Sequence, residues 1–190
     1  MPQKIAIFAS GNGSNAEHIV RHFADSPLAR VELVLTNRPA AGVIERMKPL
    51  GITVSYVAND VWDNCPGAVV ELLRGNDISL VALAGFMHYV SPVILNAFPN
   101  RVLNIHPSLL PAYGGKGMWG RRVHEAVIAA GESVSGATVH IVSDVMDEGE
   151  IVAQLSVDVL PDDTPDTLSQ RVHLAEYAIY PLAIERLLGH

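Results

Sequence analysis

KIAIFASGNGSN, residues 4–15, decides the fold. Its first six residues form a short apolar run. Serine, glycine and asparagine then crowd together, and a helical pattern follows from residue 15 to about residue 24. An apolar strand that passes through glycines into a helix start is the opening of a parallel strand–helix–strand unit. The same order repeats along the chain. Residues 31–36 (VELVLT) read as a second strand, closed by Asn37-Arg38-Pro39, and residues 41–50 as a helix that Gly51 ends. Residues 53–57 read as a third strand and residues 67–74 as a helix. Residues 80–84 (LVALA) are apolar throughout, as expected of a parallel strand covered on both faces. A short helix after Pro92 leads to another strand over residues 101–106. Strands alternating with helices at this spacing imply an α/β architecture, a doubly wound, mainly parallel sheet with right-handed crossovers and a Rossmann-like N-terminal half.

After Pro107 the rhythm changes. Residues 107–120 hold two prolines and four glycines, too long and too glycine-rich for an ordinary connection. A helix over residues 121–130, strands over 137–142 and 151–157, and a long final helix follow. Thr164 as N-cap and Pro165 in the first turn start that helix, and Pro181 is expected to kink or end it. The sequence shows no repeat, low-complexity tract or linker, so residues 1–190 read as one domain.

The composition narrows the function. Hydrophobic residues make up 49% of the chain and charged residues 17%, which supports a sizeable core and argues against disorder. A net charge of −7 disfavours a nucleic-acid groove, which needs clustered Lys and Arg. It does not forbid a small anionic substrate held by backbone N–H groups. With the single cysteine, Cys65, no intrachain disulfide is possible. The N-terminus has too short an apolar run for a signal peptide or a membrane span, so the expected location is cytoplasmic.

Two stretches carry chemistry. In Ser10-Gly11-Asn12-Gly13-Ser14-Asn15 the glycines permit close backbone approach, and the helix start supplies unpaired N–H groups and a positive dipole end. An anion site is expected there. Gly11, Gly13 and Ala16 also fit a variant of the dinucleotide fingerprint, which raises a different class, an NADP-dependent oxidoreductase. The acidic residue that a nicotinamide enzyme places at the end of the second strand is replaced by Asn37 and Arg38, and Arg38 would suit a 2′-phosphate. The second stretch is Asn104-Ile105-His106 at a strand end, where open α/β sheets hold ligands. Alternation puts Asn104 and His106 on one face. Such a pair of donors suits acyl transfer, in which negative charge develops on a carbonyl oxygen as an amine attacks. The acidic turn over residues 144–149 offers a carboxylate to hold the imidazole charged.

SGNGSN (residues 10–15), LAGFM (83–87), LNIHPSLLP (103–111), GATVH (136–140), MDEG (146–149) and EYAIYP (176–181) occur in this order over nearly the whole chain. Together they resemble the phosphoribosylglycinamide formyltransferases, folate-dependent enzymes of purine synthesis. The resemblance implies the formyltransferase fold and transfer of the formyl group of 10-formyltetrahydrofolate to the amine of glycinamide ribonucleotide. It implies Asn104, His106 and Asp147 as the catalytic trio, and Gly11, Asn12, Gly13, Ser14, Asn15 and Glu176 as contacts to the phosphate and ribonucleotide. It implies a folate site lined by Met87, His88, Tyr89, Val90, Asn104, His140, Ser143 and Asp144, with Arg101 helping to position the active site. Partners are those two small molecules, with no nucleic acid, no membrane and no metal, in a monomer or homodimer. Two stretches depart from the family pattern: Tyr113-Gly114-Gly115-Lys116-Gly117-Met118-Trp119-Gly120 after LLP, and Cys65 where some members place an arginine for the glutamate tail of the folate. A formyltetrahydrofolate hydrolase shares the trio but usually carries an extra N-terminal domain, and a transfer-RNA formyltransferase a C-terminal basic one. His18 and His22 lie four apart on the first helix without the H-E-x-x-H pattern, so they read as a solvated face.

Overall fold

The computed structural model describes residues 1–189. The described chain divides into two compact units, residues 1–103 with 184–189, and residues 104–183. The strands are β1 (Gln3–Phe8), β2 (Ala29–Thr36), β3 (Thr53–Tyr56), β4 (Ile78–Leu83), β5 (Val102–His106), β6 (Val134–Ile141) and β7 (Ile151–Asp158). Their order in one seven-stranded sheet is β3-β2-β1-β4-β5-β6-β7. β1 pairs in parallel with β2 and β4, and β2 with β3, whereas β7 is antiparallel to β6. The sheet is therefore mainly parallel, with helices between its strands.

In the first unit the central strands explain themselves. Ile5, Ala6, Ile7 and Phe8 are fully buried, as are Leu80, Val81 and Ala82 of β4, so both faces of each strand are covered. Helix α1 (Ser14–His22) buries Ala16, Ile19 and Val20, the i, i+3, i+4 stripe of an amphipathic helix. Helix α2 (Gly42–Met47) tightens into a 3-10 turn over Lys48–Leu50, and Gly51 closes it at φ 68. The expected helix over 67–74 is the longer α4 (Pro66–Gly75). It is preceded by α3 (Asn59–Asn64), which sequence periodicity does not reveal because six mostly polar residues carry no apolar stripe. Trp62 organises it: the side chain is buried, the indole N–H donates to the Val57 carbonyl at 3.0 Å, and the ring packs against Phe8 and Phe86. Helix α5 (Pro92–Ala97) starts as expected, with the Ser91 hydroxyl accepting the Val93 N–H.

In the second unit, α6 (Arg121–Ala129) buries Val123, His124 and Val127. Helix α7 (Pro165–Leu188) starts as its sequence indicates, the Thr164 hydroxyl accepting the Thr167 N–H at 3.2 Å. Of the two outcomes expected at Pro181, a kink or an end, the end is corrected: α7 continues to Leu188. A proline forfeits one backbone bond, but Tyr180, Ala183 and Ile184 beside it are buried, and their burial holds the turn.

Candidate active site

The loop after β1 is shaped by contacts within the first unit. Gly13 has φ 77, and a Cβ there would stand 2.5 Å from Val43 Cγ2 and 2.9 Å from Val43 Cα, so only glycine fits. The Val43 N–H donates to the Gly11 carbonyl at 3.1 Å, and Arg46 Nε to the Asn12 carbonyl at 2.7 Å. Asn12 Oδ1 accepts the Ser14 N–H at 3.1 Å, filling one of the helix-start donors with a side-chain oxygen. Gly11 and Asn12 are exposed, and Ser14 and Asn15 half-buried. Behind the loop, the Ser10 hydroxyl donates to Asn37 Oδ1 at 2.6 Å, and Asn37 Nδ2 donates to Asn59 Oδ1 at 2.9 Å. Asn37 is thus turned inward at the position where the dinucleotide fingerprint requires an outward acid for the ribose.

Residues 87–90 follow β4. Met87 and Tyr89 are exposed and Val90 is buried, while His88 Nε2 lies 2.9 Å from Asp63 Oδ1. Cys65 is exposed. Arg101 donates to the Leu187 carbonyl at 2.8 Å, so in this structure it caps the end of α7.

In the second unit four side chains converge. His106 ends β5, 4% exposed, and its Nε2 lies 2.8 Å from the Tyr113 carbonyl. A carbonyl only accepts, so the proton sits on Nε2 and Nδ1 is the atom that faces Asp147 Oδ2, 3.6 Å away. The Asp147 carboxylate also accepts the Gly115 N–H at 2.9 Å, and its other oxygen stands 3.7 Å from His140 Nε2. His140, on β6, donates from Nδ1 to the Ile141 carbonyl at 3.1 Å, which leaves Nε2 as an acceptor. Asn104 Nδ2 donates to that lone pair at 3.1 Å. Burial lowers the pKa of His140, against the opposing pull of the Ile141 carbonyl and the Asp147 charge, and so favours the neutral ring that accepts the Asn104 N–H.

The backbone makes this convergence possible. Asp147 has φ 58, a left-handed conformation that Asp tolerates better than most residues. A Cβ on Gly149 would come within 1.6 Å of the Ile141 carbonyl oxygen, so glycine alone lets the acidic turn fold back on the end of β6. The Ile141 N–H closes it on the Glu150 carbonyl at 2.8 Å. A Cβ on Gly114 would likewise lie 2.6 Å from Leu110 Cδ2 and 3.3 Å from Asp147 Cβ. The segment after His106 is pinned by buried Ser108, which donates to the Ala112 carbonyl at 2.6 Å, and by Thr138, which donates to the Ser108 carbonyl at 2.6 Å. Ser143 and Asp144 are exposed, and Glu176 is buried on α7.

His124 is a residue the sequence reading passed over. It is 1% exposed, its Nδ1 has no hydrogen-bond partner, and burial followed by the charges of His173 and His106 pushes it down to about 4. Only its place on the apolar stripe of α6, beside Val123 and Val127, marks it in the sequence.

Residues 3–184 match the family model described as formyl transferase. The chain belongs to the formyl transferase family. Among relatives of this formyl transferase, the phosphoribosylglycinamide formyltransferase of Bacillus subtilis (strain 168) is 38% identical over 191 residues, covering 98% of this chain and 95% of that protein. The chloroplastic phosphoribosylglycinamide formyltransferase of Arabidopsis thaliana is 39% identical over 94% of this chain, which spans only 63% of that protein. The crystal structure of glycinamide ribonucleotide transformylase 1 from Symbiobacterium toebii superposes with a TM-score of 0.91 at 34% identity, over 99% of this chain and 88% of that one. The sheet and helices described above are therefore the α/β formyl transferase fold. Among the described residues no helix is long and apolar enough to cross a membrane, and no group of three or more His, Cys, Asp and Glu is arranged to hold a metal ion.

Proposed function

We propose that this formyl transferase moves the formyl group of 10-formyltetrahydrofolate onto the amine of glycinamide ribonucleotide, in the cytoplasm and without a metal. The observation that carries the reading is the convergence of Asn104, His106 and Asp147, with His106 donating from Nε2 and Asp147 beside its Nδ1. In the reaction the amine nitrogen attacks the formyl carbon, a C–N bond forms, and the carbonyl oxygen takes up negative charge. The His106 N–H that now rests on the Tyr113 carbonyl and the second amide hydrogen of Asn104 are the donors for that oxygen. Asp147 stabilises the charged imidazole and receives the proton that the amine sheds, which goes on to the folate nitrogen as its bond to carbon breaks. The neutral His140 holds the Asn104 amide by one hydrogen, which fixes the direction of the other.

The loop over residues 11–15 takes the phosphate in this reading. Phosphate oxygens replace Asn12 Oδ1 on the Ser14 N–H, at the positive end of α1. Glu176 is assigned to the ribonucleotide, and Met87, His88, Tyr89, Val90, Ser143 and Asp144 to the folate. The test is folate turnover with and without glycinamide ribonucleotide. Formylated product that requires the amine supports the transferase, and equal turnover without amine identifies a hydrolase instead.

A further inference from the structure

The bonds around Ser10 serve more than the end of a strand. Ser10 is 2% exposed and makes three hydrogen bonds in three directions. Its backbone N–H donates to the Gly85 carbonyl at 3.1 Å, its hydroxyl oxygen accepts the Met87 N–H at 2.8 Å, and its hydroxyl hydrogen goes to Asn37 Oδ1 at 2.6 Å. The chain thus joins the residue that opens the 11–15 loop directly to residues 85–87. Both of its neighbours are constrained. Asn37 is buried and spends its own amide on Asn59, and Phe86, between Gly85 and Met87, is wedged against Phe8 and Trp62 at ring separations of 5.4 and 4.8 Å. Gly85 supplies the left-handed turn, φ 72, that brings the Met87 N–H round onto the hydroxyl. A buried hydroxyl that donates and accepts has one favoured orientation, and each of its bonds polarises the other.

We infer that Ser10 is a positioning residue shared by the two substrate-binding segments, and that its hydroxyl couples binding of the phosphorylated amine to binding of the folate. The inference rests on the assignment of residues 11–15 to phosphate and 87–90 to folate. Holding the 11–15 loop with a phosphate fixes the Ser10 backbone, which fixes the hydroxyl, which fixes the Met87 N–H at the root of the folate segment. By linkage, folate binding stabilises the phosphate loop to the same extent.

Amide hydrogen exchange at Met87 and binding titrations test this on the full chain. In the wild type, ribose 5-phosphate should slow exchange of the Met87 N–H, and a reduced folate should tighten ribose 5-phosphate binding. Ser10→Ala should abolish both effects, weaken each ligand by about 5-fold, the loss of one hydrogen bond, and leave kcat within about twofold. A purely structural serine would move the melting temperature without removing the cross-effect. Asn37→Ala leaves the Met87 bond in place but frees the hydroxyl to rotate, and should show the same pattern at smaller size, so the test survives if Ser10→Ala folds poorly. Unchanged Met87 exchange on binding ribose 5-phosphate, or weakening of one ligand alone in Ser10→Ala, overturns the inference. Coupled binding in a wild-type chain that forms no formylated product would instead sink the assigned activity and leave the coupling standing.

Discussion

The loop after β1 and the cluster at the end of β5 solve opposite problems. The 11–15 loop offers backbone N–H groups at a helix start, and its geometry is set within a few residues by Gly13 and by the Asn12 side chain. The cluster offers side chains, and Asp147 reaches His106 across about forty positions of sequence only because Gly114 and Gly149 permit close backbone packing. The first arrangement suits a group that carries its full charge throughout the reaction, such as a phosphate. The second suits charge that appears and disappears, which needs a proton on a ring that a carboxylate can steady. In the proposed reaction, phosphate binding falls to backbone N–H groups and the chemistry to side chains.

That division can be broken at either end. His106→Ala should lower kcat by about 10³-fold with little change in the KM for the ribonucleotide, because its donor is needed only as the oxyanion forms. A comparable rise in KM with kcat preserved would put His106 in the binding half. Gly149→Ala should cost about 10²-fold in kcat although residue 149 carries no reactive group, since a methyl 1.6 Å from the Ile141 oxygen must displace the turn that carries Asp147. Steady-state kinetics together with a crystal structure of the variant check this, and wild-type rates with an unmoved Asp147 would refute it. Gly13→Ala should do the reverse, raising the KM for the phosphorylated amine about tenfold through the strained φ and the clash with Val43, with kcat nearly kept.

The smallest effect concerns stability. His124 in the fold is pushed down to about 4, below its unfolded value near 6.5, so between those pH values the unfolded chain binds a proton that the folded chain refuses. Stability from this residue is complete above pH 6.5 and is lost as pH falls toward 4, by about 1.4 kcal/mol per pH unit. His124→Gln should flatten that part of the pH–stability curve measured by urea unfolding, without moving kcat at neutral pH. An unchanged slope would show that another group sets it.

The fold was legible where local chemistry dictates it. The apolar runs of β1 and β4, Gly51 and the Thr164-Pro165 start each appear in the structure in the role their residue types suggest. Helix α3 was not legible, because a turn and a half of polar residues is held by a single buried tryptophan whose partners, Phe8 and Phe86, come from other elements. Pro181 was half legible for a related reason: local backbone cost argued for a kink or an end, and burial of its neighbours carried the helix past it.

The sequence by itself determined the strand–helix alternation, the glycine-rich turn from β1 into α1, and the residues Asn104 and His106 on one strand face, since each depends on contacts within a few positions. Only the tertiary structure decided that Asp147 meets His106, that His140 is an acceptor for Asn104, and that His124 is buried without a partner for its Nδ1. Those relations depend on the approach of segments far apart in the chain, and a protonation state depends on everything that surrounds the ring.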